Sequence, residues 1–187
     1  MMDDARGSLH TTPRGAIATT RHYIRDIVYG ANDGIITTYA VVSGTAGGSL
    51  PYLAILVIGA ANLAADGVSM GAGNLLAIRA EERAREAAGL PELERYPWKH
   101  GLATLLAFMV AGLIPLVPFF IPIPTELRLS WSTAATFTAM FGLGAARALV
   151  TSERWWRSGL ETLALGAVVA MTAYGAGRLV AHFAGGH

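Results

Sequence analysis

The chain has 187 residues, of which 53% are hydrophobic and only 14% charged, and its mean hydropathy is +0.44. Soluble domains carry roughly 25% charged residues, so this chain lacks the polar surface that a water-soluble enzyme of its size needs, and it reads as an integral membrane protein. A net charge of +1 without a basic cluster excludes a nucleic-acid partner, and the absence of cysteine excludes disulfides, thiolate metal sites and Cys nucleophiles.

A helix crosses a bilayer with about 20 mostly apolar residues. Five segments have that length: 27–47, 52–78, 102–123, 131–149 and 159–183. They are rich in Ala, Leu and Gly and do not alternate in polarity, which argues against strands. The expected fold is all-α, with five transmembrane helices per subunit in a membrane domain over 26–183. A cytoplasmic tail (1–25), a short cytoplasmic loop (79–99) and a C-terminal tail (184–187) complete it. Residues before Arg25 contain no short apolar h-region, so the first helix is expected to be an uncleaved anchor. In the third span, Pro115, Pro118, Pro122 and Pro124 each remove a backbone donor, which predicts a kink near Pro115 and a break by Pro122. Trp98, Trp131, Trp155 and Trp156 flank the spans, where indole rings favour the headgroup zone.

Positive charge sets the orientation. The N-terminal tail holds Arg6, Arg14, Arg21 and Arg25, the second loop Arg79, Arg83, Arg85, Arg95 and Lys99, and the fourth Arg147, Arg154 and Arg157. Only Arg128 and Arg178 fall on the other side, a bias of twelve to two. Lys and Arg concentrate on the cytoplasmic side, so the N-terminus is expected inside and the C-terminus outside.

Two acids, Asp33 and Asp66, lie inside spans. Each costs at least ~2.5 kcal/mol at a helix centre. A protonated Asp hydrogen-bonded between helices would be purely structural; an ion or proton site is the functional alternative, and the neighbourhood favours it. Asp26, Asp33 and Thr37 share one face of the first helix, and Asn62, Asp66, Met70 and Asn74 recur every four residues along the second. Carboxylate and amide oxygens suit hard divalent cations, and a thioether adds softness, a mixture that fits Fe²⁺ or Mn²⁺ better than Mg²⁺. Measured from the cytoplasmic side, Asp33 lies about 9 Å past Ile27 and Asp66 about 12 Å past Asn74, so the two share a depth. Gly30-x-x-x-Gly34 and Gly67-x-x-x-Gly71 flank the acids and permit close backbone approach, with a homodimer contact through the first helix as one use.

The stretch Asp26-Ile-Val-Tyr-Gly-Ala-Asn-Asp33-Gly-Ile-Ile-Thr-Thr-Tyr-Ala-Val-Val-Ser-Gly44 resembles the first helix of the vacuolar iron transporter family. Asn62-Leu-Ala-Ala-Asp66-Gly-Val-Ser-Met70-Gly-Ala-Gly-Asn74 is similar to its second helix, and 141–147, 154–161 and 173–177 to its last two. The resemblance, over about 22–179, implies a homodimer of five-helix subunits. It implies export of Fe²⁺ or Mn²⁺ from the cytoplasm by proton exchange, with no permanently bound cofactor. Asp33, Asn62, Asp66 and Met70 would line the path, Asn74 would add a neutral oxygen, and Asp33 and Asp66 would couple protons.

Eukaryotic members carry a long cytoplasmic metal-capturing insert between helices two and three. Here only 79–99 lies there, as expected of a member from a bacterial cytoplasmic membrane, and many relatives carry an acid where this chain has Asn74. Asp26, Glu81, Glu82 and Glu86 are accessory cytoplasmic acids; the glutamates are expected to continue helix two as a solvated face, with Glu81 pairing Arg85 at i,i+4. The five histidines make no HxxxH pair and read as interfacial. The alternative to a transporter is a non-transporting membrane assembly module built on Gly/Ala faces. An intramembrane hydrolase lacks support, because no Ser/His or HExxH constellation lies in a span.

Overall fold

A computed structural model of the chain describes residues 8–9, 15–151 and 154–185. Among these residues the protein is helical with no strand: α1 (Ala16–Gly47), α2 (Tyr52–Ala87), α3 (Pro97–Gly112), a 3-10 turn (Ile114–Leu116), the short α4 (Val117–Phe120), α5 (Thr125–Thr151) and α6 (Trp155–Ala184). Arg6 and Arg14, which count toward the N-terminal charge, lie outside the described residues.

The helix ends follow from local chemistry. Past α1, Ser49 adopts φ 55° and the Leu50 amide returns to the Thr45 carbonyl. Past α2, Gly89 adopts φ 69°, a backbone state that glycine enters without steric cost, and the Leu90 amide returns to Arg85. Pro115 ends α3 early: regular helix stops at Gly112, a 3-10 turn follows, and nothing is helical between Phe120 and Thr125. Buried Ser132 donates to the Pro115 carbonyl at 2.6 Å, so α5 satisfies an acceptor of the broken segment.

α1 begins at Ala16, so the last ten residues of the expected tail are helical rather than loose. α2 spans 36 residues, about 54 Å, well beyond a ~30 Å hydrocarbon core. Its last two turns carry Glu81, Glu82 and Glu86, as expected for a helix continuing out of the membrane. Arg85, however, gives Nε and Nη2 to the Pro91 carbonyl (3.1 and 3.0 Å) rather than pairing Glu81; holding the returning chain is a closer contact than an exposed ion pair.

α1 is the hub. It packs most extensively on α3 and α6, and also on α2 and α5, while α2 packs on α3 and α5 on α6. A Cβ on Gly30 would sit 2.5 Å from the Thr104 carbonyl oxygen, and one on Gly34 would meet the Phe108 carbonyl. Gly71 faces the Gly101 backbone in the same way. Both GxxxG pairs are therefore seats for α3 within the subunit, and the first-helix pair is not open for a contact between copies. Helix against helix at backbone distance leaves neither side room to yield. Gly34→Val is expected to cost about 3 kcal/mol, the upper part of the overpacking range. Gly142→Ala, which meets nothing within 4 Å, should be neutral or slightly stabilising through helix propensity. Thermal unfolding in detergent compares the two; equal midpoints would contradict the α1–α3 seat.

Three helical stretches among the described residues are long and apolar enough to cross a membrane: Tyr52–Ala87, Pro97–Phe120 and Trp155–Ala184. α1 and α5 have the length but are more polar, and several of their polar side chains (Thr38, Ser132, Thr136) are fully buried in the bundle. Outside, Val68, Val110, Met171, Val180 and Phe183 are exposed, and so are all four tryptophans. Lipid-facing surface with indole rings near the helix ends has this composition.

Candidate functional site

The α2 residues turned fully inward are Gly59, Leu63, Gly67 and Gly71, with Ile55 and Ile78 at the ends. Asn62, Asp66, Met70 and Asn74 form the adjacent stripe, and all four are partly buried. Asp33 on α1 is also partly buried, and its carboxylate lies close enough to Asp66 for their charges to interact. Met70 packs against the core cluster that contains Leu63 and Phe108. Thr37 donates to the backbone carbonyl of Asp33 at 2.8 Å, so its hydroxyl serves the helix itself.

Asn74 belongs to a different group. Its Nδ2 donates to Asp26 Oδ1 at 2.9 Å and to Thr104 Oγ1 at 2.8 Å. Asp26, 2% exposed, is the most deeply buried of the expected accessory acids. Seven residues, about 10 Å of helix, separate it from Asp33. The Asp26 carboxylate also meets His100 Nδ1 at 2.5 Å, and the Arg25 guanidinium lies 3.5 Å away. Across the His100 ring, Nε2 lies 3.0 Å from Glu94 Oε2, and His22 Nε2 approaches the same oxygen at 3.1 Å.

These residues meet because three helix ends coincide. α1 brings His22 and Asp26 one turn apart on one face, and Pro97 at the first turn starts α3 so that His100 follows one turn later. The Glu82 carboxylate accepts the amides of Leu93 and Glu94 (2.9–3.3 Å), and the Tyr96 amide donates to Glu94 Oε1 at 2.8 Å. Glu82 is thus a brace for the loop that presents Glu94. Glu81 and Glu86 are exposed, Glu81 at the rim of two cavities. One, about 320 Å³, is lined by His22, Asp26, Glu82, Glu94 and His100; the other, about 340 Å³, by Asp26, Tyr29 and Asn74. Arg25 and Asp26 line both. Burial first, then the Glu94 and Asp26 carboxylates, push the Tyr23 hydroxyl above its ordinary range, so this ring beside His22 and His100 remains a neutral phenol.

The expected residues therefore fall into two groups, Asp33 and Asp66 with Asn62 and Met70, and Asp26 with Asn74. His22, Glu94 and His100 join the second group and were missed. Histidines 78 residues apart show no local spacing motif. The one available signal was His22 four residues before Asp26 on one helix face.

The sequence profile of the VIT family matches residues 24–90 and 83–178. The two matched parts meet at the end of α2, where the loop is short. A vacuolar iron transporter 1 from Oryza sativa subsp. japonica is 23% identical over 219 aligned positions, covering 87% of each chain. Vacuolar iron transporter 1 of Arabidopsis thaliana is 24% identical and covers 88% of each. A vacuolar iron transporter from Toxoplasma gondii is 37% identical over 81 residues, 43% of this chain and 26% of that protein.

Proposed function

This chain belongs to the VIT family, whose members are membrane metal-ion transporters and not enzymes, and we propose on that premise that it exports Fe²⁺ or Mn²⁺ from the cytoplasm in exchange for protons. The observation that carries this is the placement of two partly buried carboxylates, Asp33 on α1 and Asp66 on α2, on helices that pack together within range for their charges to interact. Two carboxylates near each other at hydrocarbon depth are stable as anions only with a cation between them. An entering divalent ion displaces protons, and its departure lets protons return, which is exchange. Met70 supplies a polarisable contact, Asn62 a neutral oxygen, and Asn74 an amide oxygen nearer the cytoplasm.

In this reading all five long helices cross the bilayer, α1 and α5 tolerating polar residues because the other helices cover them. The α2 stripe with Asp66 is only partly covered in one subunit. A second copy against α1 and α2 would remove it from lipid, which favours a homodimer. The twelve-to-two charge bias favours a cytoplasmic N-terminus. A reporter fused after His187 is expected to be active outside the cytoplasm; cytoplasmic activity would sink the five-span topology. The function is tested by metal flux into liposomes across an imposed pH gradient, with Fe²⁺, Mn²⁺ and Mg²⁺ compared. Fe²⁺ or Mn²⁺ uptake coupled to proton movement is expected, and absence of any divalent flux in folded protein would overturn it.

A further inference from the structure

We propose that His22, Glu94 and His100 form a capture site for a divalent transition-metal ion at the mouth of the transport path, using the short α2–α3 loop in place of a longer metal-binding insert. One ligand atom from each lies within 4.8 Å of the others. Two of the separations, 3.1 Å for His22 Nε2 to Glu94 Oε2 and 3.0 Å for His100 Nε2 to the same oxygen, match neighbouring donors on one ion. Metal–ligand bonds of about 2.1 Å at right angles place donors about 3 Å apart.

The orientation of His100 is the second, independent observation. Its Nδ1 lies at 2.5 Å from the Asp26 carboxylate, an acceptor, and therefore carries the proton. In the tautomer protonated at Nδ1 alone, the ring presents a lone pair at Nε2. That atom is buried, makes no hydrogen bond, and lies 3.0 Å from a carboxylate oxygen. In that tautomer Nε2 and the Glu94 oxygen are two acceptors 3.0 Å apart, an arrangement that a cation between them stabilises. A carboxylate behind a ligating histidine is the usual arrangement that fixes its tautomer and raises its basicity. Two imidazoles and one carboxylate leave coordination positions open and suit Fe²⁺ and neighbouring metals over Mg²⁺ or Ca²⁺. A doubly protonated His100 held between Asp26 and Glu94 is the ion-pair alternative, and it offers a metal no lone pair.

The site also has an outlet. Its cavity of about 320 Å³ shares Arg25, Asp26, Ile78 and Glu81 with the cavity of about 340 Å³ that reaches Tyr29, about one turn from Asp33 on α1, and Asn74, about two turns from Asp66 on α2. Arg25, whose side chain is 71% exposed, can move away as a cation enters.

The role as a capture site rests on the transport function proposed above; metal binding itself does not. The test titrates Co²⁺ into purified protein in detergent, in an Asp33→Asn/Asp66→Asn background that removes the membrane-embedded acids. Visible absorption bands of imidazole-bound Co²⁺ are expected, and His22→Ala or Glu94→Gln should weaken binding at least tenfold. Without any substitution, bound Co²⁺ should also protect His22 from modification by diethyl pyrocarbonate, a readout that stands if a variant misfolds. Unchanged binding in both variants, or no protection, would overturn the site. In liposomes, the same two variants should raise the half-saturating metal concentration while maximal flux is kept. Bands and protection without flux in the unsubstituted protein would overturn the transport function and leave the site; a half-saturating concentration unchanged by both substitutions would overturn the capture role and leave transport.

Discussion

Asp33→Asn and Asp66→Asn should each lower metal flux more than about tenfold, the effect of 1.4 kcal/mol on an equilibrium, while both proteins still insert and fold. The substitutions keep the side-chain shape and remove the charge. A neutral amide is less costly than a carboxylate in the membrane, so stability should hold or rise. Binding of a dication should suffer, because one of two nearby negative charges is gone. Metal-driven proton release should fall in parallel, since an amide has no proton to exchange. Met70→Leu should be milder, reducing flux severalfold at most and shifting preference from Fe²⁺ toward Mn²⁺, because it removes only a polarisable sulfur. Unaltered flux in both Asp variants would make these acids structural, and transport would then rest on family membership alone.

Much of the fold was legible because membrane helices advertise themselves. Long apolar runs, flanking tryptophans and clustered prolines located the helices and the break after Gly112. The N-terminal start was not legible by hydropathy, since 16–26 is polar; it is helical because one face carries His22, Tyr23 and Asp26 onto α3. The GxxxG pairs signalled close approach correctly but could not name the partner. Spacing in one chain shows that a backbone can come near, and only the tertiary arrangement shows that the neighbour is α3.

The candidate site divides the same way. Asp33 and Asp66 stand out because a charge in an apolar run is costly wherever the helix packs. Asn74 fits the same four-residue stripe, yet a stripe three turns long outruns the site it was assigned to, and its last member meets Asp26 and Thr104 instead. Glu82 looked like a solvated acid and instead holds loop amides. His22 and His100 read only as interfacial because the chemistry they share with Glu94 exists only as a set. The contacts join residues 72 and 74 positions apart, and no periodicity connects them.

Asp26 offers the sharpest separation of fold from function, because two substitutions there should behave differently. Asp26→Ala removes the acceptor of both Asn74 Nδ2 and His100 Nδ1 at a position 2% exposed. His100 Nδ1 is then left without a partner, while Asn74 Nδ2 keeps Thr104; a buried donor without a partner costs about 1–3 kcal/mol, so this variant should lose about 2 kcal/mol of stability and some of its yield. Asp26→Asn should fold, with a loss of about 1 kcal/mol. Its amide oxygen can still accept from Asn74, which places its NH₂ group against His100. An NH₂ donor there requires Nδ1 to be the acceptor, so the ring proton moves to Nε2. That proton then points toward Glu94 and occupies the lone pair a metal would use. Loss of an outer carboxylate partner typically weakens metal binding 10–100-fold, and Co²⁺ affinity should fall by that factor with the fold preserved. Nitrogen-15 NMR of His100 would report the exchanged tautomer directly. Asp26→Asn with normal Co²⁺ affinity and an unchanged tautomer would show that Asp26 braces α1, α2 and α3 and does nothing for a metal.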